Sequence, residues 1–514
     1  MEAFYEYEEN YPEIFSQQKQ KIQDMLGPVQ IEHVGSTAVP GLGGKGIIDI
    51  MVGVCDIGKA KAKLQQIYEF VHERPERLLF RTQGVHLHLT KQRSREWKDT
   101  LAFRDHLLSN PDAVEEYVRI KKETQGDKEL YRNRKKPFIE EILKNVPDIK
   151  THIAQVQEKL TVSLPKDKDT HIGLPNPFIV PNNELFEHDQ FYWDSYFIIL
   201  GLIETGQIRL AKGIIDNFAY LCNRFGIIPS RNRYYNLGIS QPPFFTSMVL
   251  DVFSHTKDKQ WLREMAKTAE KELSYWMDDI HSVDGLSRYC DHWHTHLTAE
   301  HESGWDMTSR FDDRCLHILP VDLNSLLFKY EKDLSHIFAI LEDDKATEYE
   351  HKAEQRKEKI NKLMWDEFFF DYDFHNQKIH RFFSLAGFYP LWAGLATKDQ
   401  AKRLRDCLSF FEYDGGLANT QEEDLASEFR QWDYPNGWPN QQWIVIKGLL
   451  DYGFNEDAER IAAKWLQLNE TVFQKTGAMW EKYDVVNMDK GKDGRYPTQK
   501  GFGWTNAVYL KLLS

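Results

Sequence analysis

The chain has 514 residues, 41% hydrophobic and 28% charged, with a net charge of −14; that length supports more than one sizeable core, and the acidic balance argues against a nucleic-acid partner, which calls for a basic stripe, and against an anionic membrane surface. No run approaches the roughly 18–20 apolar residues of a membrane span, and the acidic opening MEAFYEYEENYPEIF lacks the apolar core of a signal peptide. Five scattered cysteines, Cys55, Cys222, Cys290, Cys315 and Cys407, with no CxxC pair, fit neither a disulfide framework nor a zinc site, so a cytoplasmic protein is expected.

Residues 1–150 read as an α+β domain. IEHVGSTAVPG suggests a strand and a glycine turn, GIIDIMVGV (46–54) is apolar and β-branched as a buried strand should be, and VHLHLT alternates with period two. Amphipathic helices follow around Ala113–Gln125 and Lys136–Lys144. The stretch TVSLPKDKDTHIGLPNPF (161–178) mixes proline, glycine and charge without periodicity, so 151–174 is expected to be a linker.

From 175 to 514 the pattern is helix after helix. QIRLAKGIIDNFAYLCNRFG ends on Gly226, a natural residue to follow a helix. WLREMAKTAEKELSYWM places Trp261, Met265, Ala269, Leu273 and Trp276 on one face. The helix surfaces are rich in Lys and Glu, while the loops gather Trp, Asp, Asn, Gly and Pro: QFYWDSYF, SRNRYYNLGISQPP, HESGWDMTSRF, QWDYPNGWPNQQW, WEKYDV and GFGWTN. Aromatic and acidic residues concentrated in loops between packed helices point to one lined cleft. Sugars present flat C–H faces that stack on aromatic rings, although a large helical core also uses aromatics.

Hydrolysis of a glycosidic bond needs two carboxyl groups, one to protonate the leaving oxygen and one to activate water or attack the sugar. An apolar ring beside a carboxyl raises its pKa toward that of a working acid. ESGWD sets Trp305 beside Asp306, and WEKYD sets Trp480 beside Glu481. An Asp beside a Trp is by itself as compatible with a surface or capping residue.

PNNELFEHDQFYWDSYF, IPSRNRYYNLGISQPPF, ESGWDMTSRF, PVDLNSLL, QWDYPNGW, EKYDV and GFGWTNAV together resemble, in order, the motifs of the trehalases, glycoside hydrolase family 37. The resemblance implies an all-α (α/α)6 barrel over 175–514 and an inverting hydrolase that uses no metal or organic cofactor. It carries the general acid onto Asp306 and the general base onto Glu481. It implies that Trp193, Asp194 and Trp305 line the sugar subsite and that Arg233 binds sugar hydroxyls. Gln241, Trp432, Asp433, Asn436 and Trp438 would shape the pocket, and Phe502, Trp504 and Asn506 belong to a covering loop. Asp433 is equally compatible with bracing a turn. The implied partner is α,α-trehalose, with another α-glucoside or a sugar-binding protein with a decayed site as alternatives.

The sequence departs from the family at several substrate-reading positions. No Lys or Arg stands between Asp169 and Tyr192, no Arg-Pro-Glu segment precedes ESGWD, Gly238–Ile239 replaces an Asn-Arg pair, and Arg495 stands where an acid is usual. The carboxylate pair, which a decayed hydrolase commonly loses, is intact. His292, His294, His296 and His301 have no convincing set of metal-ligand partners and read as a polar rim.

HVGSTAVPGLGGKGIIDIMVGV, VHLHLT, EWKDTLAFRDHL and KKPFIEEIL resemble the GrpB family over about residues 1–148, which implies a nucleotidyltransferase-like fold. Gly35, Ser36 and Asp49 stand where such enzymes cradle phosphate and hold Mg²⁺, although the usual Asp-x-Asp pair is not evident. His33, Lys45, His86 and His88 complete a candidate pocket for a nucleotide or small anion. A structural domain without a ligand is the alternative.

Overall fold

The computed structural model describes residues 5–27, 29–54, 56–92, 94–125, 127–144, 148–422, 430–494 and 496–514; Cys55 and Arg495 lie outside the described residues. The chain divides into two compact units, Met1–Asp148 with Gln474–Gly477, and Ile149–Phe473 with Ala478–Ser514.

The first unit is built on a five-stranded sheet of order β1-β2-β5-β4-β3: β1 Gln30–Val34, β2 Ile48–Val54, β3 Glu69–Arg74, β4 Arg77–Thr82 and β5 Val85–Lys91. β2 and β5 run parallel and the other pairs antiparallel. Successive strand residues face opposite sides. Ile48, Ile50, Val52 and Val54 share a core with Val85, Leu87 and Leu89 and with the helices α1 Tyr11–Leu26 and α2 Ile57–Leu64. Met51 packs on the other side with Val34, Trp97 and Leu101, the last two from α3 Arg95–Ser109. Asp49 and His86 are register partners near the starts of β2 and β5, so alternation sets Asp49, His86 and His88 together on the α3 side. Two helices, α4 Pro111–Glu123 and α5 Lys128–Lys144, complete this unit.

The second unit is helical, and two burial patterns recur in alternation. The helices α7 Tyr192–Glu204, α9 Phe245–Thr256, α12 Val321–Ile340, α14 Tyr389–Trp392, α16 Pro439–Asp451 and α18 Gly503–Leu513 are buried over most of their length. Each packs on the next, and α18 packs on α7, which closes a ring of six. Between them in sequence stand amphipathic helices, among them α8 Ile208–Phe225, α10 Lys259–Trp276, α13 Lys345–Met364, α15 Lys398–Asp406 and α17 Asn455–Thr476, which bury one face only. The α10 face of Trp261, Met265, Ala269, Leu273 and Trp276 is buried, and Gly226 ends α8 in the left-handed region at φ 87. Contact between α7 and α18 is close enough that a Cβ at Gly201 would stand 2.6 Å from Ala507 Cα. A further helix, α11 His296–Ser303, lies between α10 and α12 in the chain.

The expected linker 151–174 is corrected by the structure. Residues Ile149–Leu160 form a helix, α6, and Thr161–Val162 pairs with Phe178–Ile179 as a two-stranded sheet. Ile153 is buried with Leu466, Phe473, Met479 and Tyr509, and Leu160, Leu164, Ile172 and Leu174 enter the main core of the second unit. The proline and charge in this stretch mark irregular backbone that is nevertheless packed.

Candidate active site

The loops before the ring helices carry most of the motif residues. Tyr192-Trp193-Asp194 opens α7, Gln431–Trp438 leads into α16, and Phe502 precedes α18. Because ring helices alternate with outer helices, their N-termini gather at one end of the ring.

At that end the indoles form a continuous cluster. Trp432 stacks flat on Trp438 with centroids 3.9 Å apart, and it lies 5.4 Å from Trp305 and 5.5 Å from Trp193. Trp504 meets Trp438 at 5.6 Å, Trp193 at 5.9 Å and Phe502 at 5.4 Å. All six rings are buried. Gly304 takes φ 75, and any Cβ there would run into the Trp193 ring, so the approach of the ESGWD loop to Trp193 depends on glycine.

Asp306 follows α11, at the end of ESGWD, and is half-buried. The QWDYPNGW segment grips its loop residue by residue. Gln431 Nε2 donates to the Asp306 carbonyl, Trp432 N donates to Met307 O at 3.2 Å, and Arg430 donates to Thr308 O at 2.8 Å. Asp433 accepts from Thr308 Oγ1 at 2.7 Å and from Ser309 N at 2.9 Å. Asp433 thus braces the loop that bears Asp306, and burial pushes its carboxyl pKa up. Beneath the loop, fully buried Arg310 makes paired contacts of 2.7–2.8 Å to Asp322 and Asp371, under the Trp305 ring at 4.9 Å. Glu300 accepts from Thr308 N at 2.8 Å, and burial, with Asp306 nearby, pushes it up to about 8.

Glu481 is 1% exposed. Its backbone N–H bonds Gln499 O at 2.8 Å, and its carbonyl accepts from Trp504 Nε1 at 3.2 Å. The next residues, Tyr483–Asp484, pair with Asn436–Gly437. Tyr496 Oη donates to Glu481 Oε1 at 2.8 Å and Lys482 Nζ to Oε2 at 2.9 Å. Asp194, buried at the first turn of α7, links the two candidate catalytic carboxylates electrostatically. Burial, then the charge of Glu481, then that of Asp306 push its carboxyl up to about 8.

Gln241 receives the Trp193 N–H at 3.3 Å, and Asn436 Nδ2 and Trp438 Nε1 both donate to Gln431 O at 2.9 Å. Both side-chain polar atoms of Asn506 and the Gln431 Oε1 are buried without a hydrogen-bond partner in the protein. The Arg233 guanidinium bonds Asp189 at 2.5 and 3.2 Å and Thr170 at 2.8 Å, in a cluster with Arg231 and His171. Lys482, Tyr496, Gln431 and Glu300 were missed from the sequence, although Lys482 stands inside EKYDV. Among the described residues no three His, Cys, Asp or Glu side chains are grouped to hold a metal ion.

In the first unit the structure brings together His33, Gly35, Ser36, Asp49, His86 and His88. His88 Nε2 and His86 Nδ1 lie 3.1 and 3.5 Å from Asp49 Oδ1; burial opposes, but these hydrogen bonds hold the Asp49 carboxyl below the usual range. Burial pushes His33 down to about 4, and its Nε2 lies 3.0 Å from Thr37 Oγ1. Gly35 has φ 74, and a Cβ there would collide with the Asp49 carboxylate. A Cβ at Gly44 would meet Ser36 Oγ and Lys121 Nζ, so Lys121, overlooked in the sequence, flanks the same glycine as Ser36. Lys45 is exposed on the turn that follows.

A family model described as Trehalase matches residues 65–291 and 286–514. The periplasmic trehalase of Xanthomonas oryzae pv. oryzae is 35% identical over 396 residues, covering 67% of this chain and 68% of that protein. That of Pseudomonas aeruginosa is 34% identical over 424 residues, covering 71% and 76%. Among solved structures, the neutral trehalase of Saccharomyces cerevisiae aligns with a TM-score of 0.58 at 30% identity, over 66% of this chain and 73% of that one. A GH63 mannosylglycerate hydrolase from Thermus thermophilus aligns with a TM-score of 0.58 at 19% identity, over 72% and 100%, and shares the helical barrel fold. The names of the curated relatives overturn the cytoplasmic expectation, since they are periplasmic trehalases. The sparse cysteines reflect a core large enough to need no cross-links and do not report the compartment.

Proposed function

The chain belongs to the trehalase family, and from that premise we propose that it hydrolyses α,α-trehalose with inversion, Asp306 acting as general acid and Glu481 as general base. Asp306 protonates the bridging oxygen as it leaves. Glu481 takes a proton from a water that attacks the anomeric carbon from the opposite face. The observation that carries this reading is that the QWDYPNGW segment holds the Asp306 loop through Gln431 and Trp432 and pairs through Asn436–Gly437 with the strand just after Glu481, beside the tryptophan cluster. The rings offer stacking faces, and Asn506 and Gln431 offer unpaired polar atoms for sugar hydroxyls. Inversion at one ring releases one β-glucose and one α-glucose. NMR of the first product from trehalose is expected to show the two anomers in equal amounts. A purely α product, or turnover of another α-glucoside with none of trehalose, overturns the assignment.

For the first unit we propose a GrpB-like, nucleotidyltransferase-like fold in which Ser36 and Lys121, gathered beside Gly44, take a small anion. Burial and the charge of Lys135 push Lys121 down to about 7, and a bound anion offsets both effects. Calorimetric titration with inorganic phosphate is expected to show binding that Lys121→Met weakens about tenfold, a loss of about 1.4 kcal/mol. No heat with the intact protein removes the proposal.

A further inference from the structure

We infer that Lys482 and Tyr496 are positioning residues for Glu481, holding its carboxylate oriented and ionised in a cleft that it shares with two other carboxylates. The inference rests on reading Glu481 as the base. Each Glu481 oxygen has its own donor, Tyr496 Oη on Oε1 at 2.8 Å and Lys482 Nζ on Oε2 at 2.9 Å. Two fixed donors on different oxygens leave the carboxylate plane little freedom to rotate, so the remaining lone pairs point in a set direction. Lys482 is fully buried, its ammonium 4.9 Å from the Trp438 ring centroid and 5.5 Å from that of Tyr496. An ammonium removed from water this completely is costly unless paired, and Glu481 is the adjacent anion.

The charge pattern gives this pair its function. Among the described residues, Asp194 from α7 and Tyr496 and Lys482 from its own side of the cleft face Glu481, Asp306 from the loop after α11 acts on the same Asp194 and Tyr496, and Asp493 faces Lys482. Three carboxylates cannot all ionise in one desolvated space. A general base must be the one that stays charged, while a general acid must keep its proton. Lys482 places a positive charge 2.9 Å from Glu481 Oε2, which favours the ionised form of the base.

Replacing Lys482 with a neutral residue removes the positive charge 2.9 Å from Glu481 Oε2 and so disfavours the ionised carboxylate. The acid limb of kcat/KM reports the base in the free enzyme, and it therefore moves to higher pH. A neighbouring opposite charge is worth about 1–3 pH units. The experiment is the pH profile of kcat/KM on α,α-trehalose for the full chain and for Lys482→Met, Lys482→Arg and Tyr496→Phe, with folding checked by circular dichroism. The expected result is an acid limb moved up by about 1 unit or more in Lys482→Met, moved less in Tyr496→Phe, and kept in place in Lys482→Arg. An acid limb that stays put in both Lys482→Met and Tyr496→Phe overturns the inference. Should Lys482→Met fail to fold, Lys482→Gln, which keeps a donor and loses the charge, decides in the same way. Failure of the base assignment is separate: it appears as retained turnover in Glu481→Gln. An inactive Glu481→Gln beside unshifted Lys482→Met and Tyr496→Phe profiles removes only the positioning role of Lys482 and Tyr496.

Discussion

Asp306→Asn and Glu481→Gln each lower trehalose turnover by about 10²–10⁴-fold, the usual weight of a positioned acid or base. Their effects on stability differ, and the contrast tests the local structure. Asparagine keeps the size of Asp306, and the loop is held through its backbone by Gln431, Trp432, Arg430 and Asp433, so Asp306→Asn unfolds at the same denaturant concentration as the parent. Glutamine at 481 leaves the buried Lys482 ammonium without its counter-charge, and breaking a buried pair costs about 3–5 kcal/mol. Glu481→Gln is therefore expected to be both inactive and less stable, while Glu481→Gln with Lys482→Met recovers stability and stays inactive. Urea unfolding and trehalose assays on the four proteins check this. Near-normal turnover in either single variant removes that residue's catalytic role, and equal stability of the two single variants removes the pairing of Lys482.

Much of the cleft was legible because its residues sit in contiguous aromatic motifs. Trp432 and Trp438 are neighbours in QWDYPNGW and stack 3.9 Å apart, and the same segment supplies Gln431 and Asp433, which hold the Asp306 loop. The motif leaves Asp433 between shaping the pocket and bracing a turn; its bonds go to Thr308 and Ser309 of the Asp306 loop. What was not legible depends on distances across the fold. Tyr496 reaches Glu481 only because Gln499 pairs with the Glu481 backbone and brings the intervening loop back over the cleft. The pairing of Arg233 with Asp189, four residues before Trp193, also depends on contacts across the fold. In the first unit, alternation along β2 and β5 already set Asp49, His86 and His88 on one face. Lys121 could not be assigned there, because nothing in the spacing of α4 says which turn of the chain it approaches.

A chain beginning at Ile149 is expected to keep full trehalose turnover, whereas one beginning at residue 165 loses it through instability. The misread linker is the reason. IKTHIAQVQEKL carries Ile149, Ile153, Val156 and Leu160 at helical spacing, a stripe hidden by the proline and charge that follow it. Ile153 and Leu160 are almost fully buried, the first against Leu466, Phe473, Met479 and Tyr509. Burying such a side chain contributes about 1.5–3 kcal/mol, so deleting both removes on the order of 3–6 kcal/mol, against a typical total of about 5–15 kcal/mol. The loss also strips Thr161–Val162 from its pairing with Phe178–Ile179, the segment that leads into Asn182, whose Nδ2 bonds Gln499 Oε1 at 2.8 Å beside the Glu481 backbone. Damage should therefore reach the base as well as the core. Thermal unfolding and trehalose assays of the two truncated chains separate the cases: equal stability and turnover of both would show that α6 is dispensable, and a folded but inactive chain from Ile149 would show that the first unit is needed for catalysis.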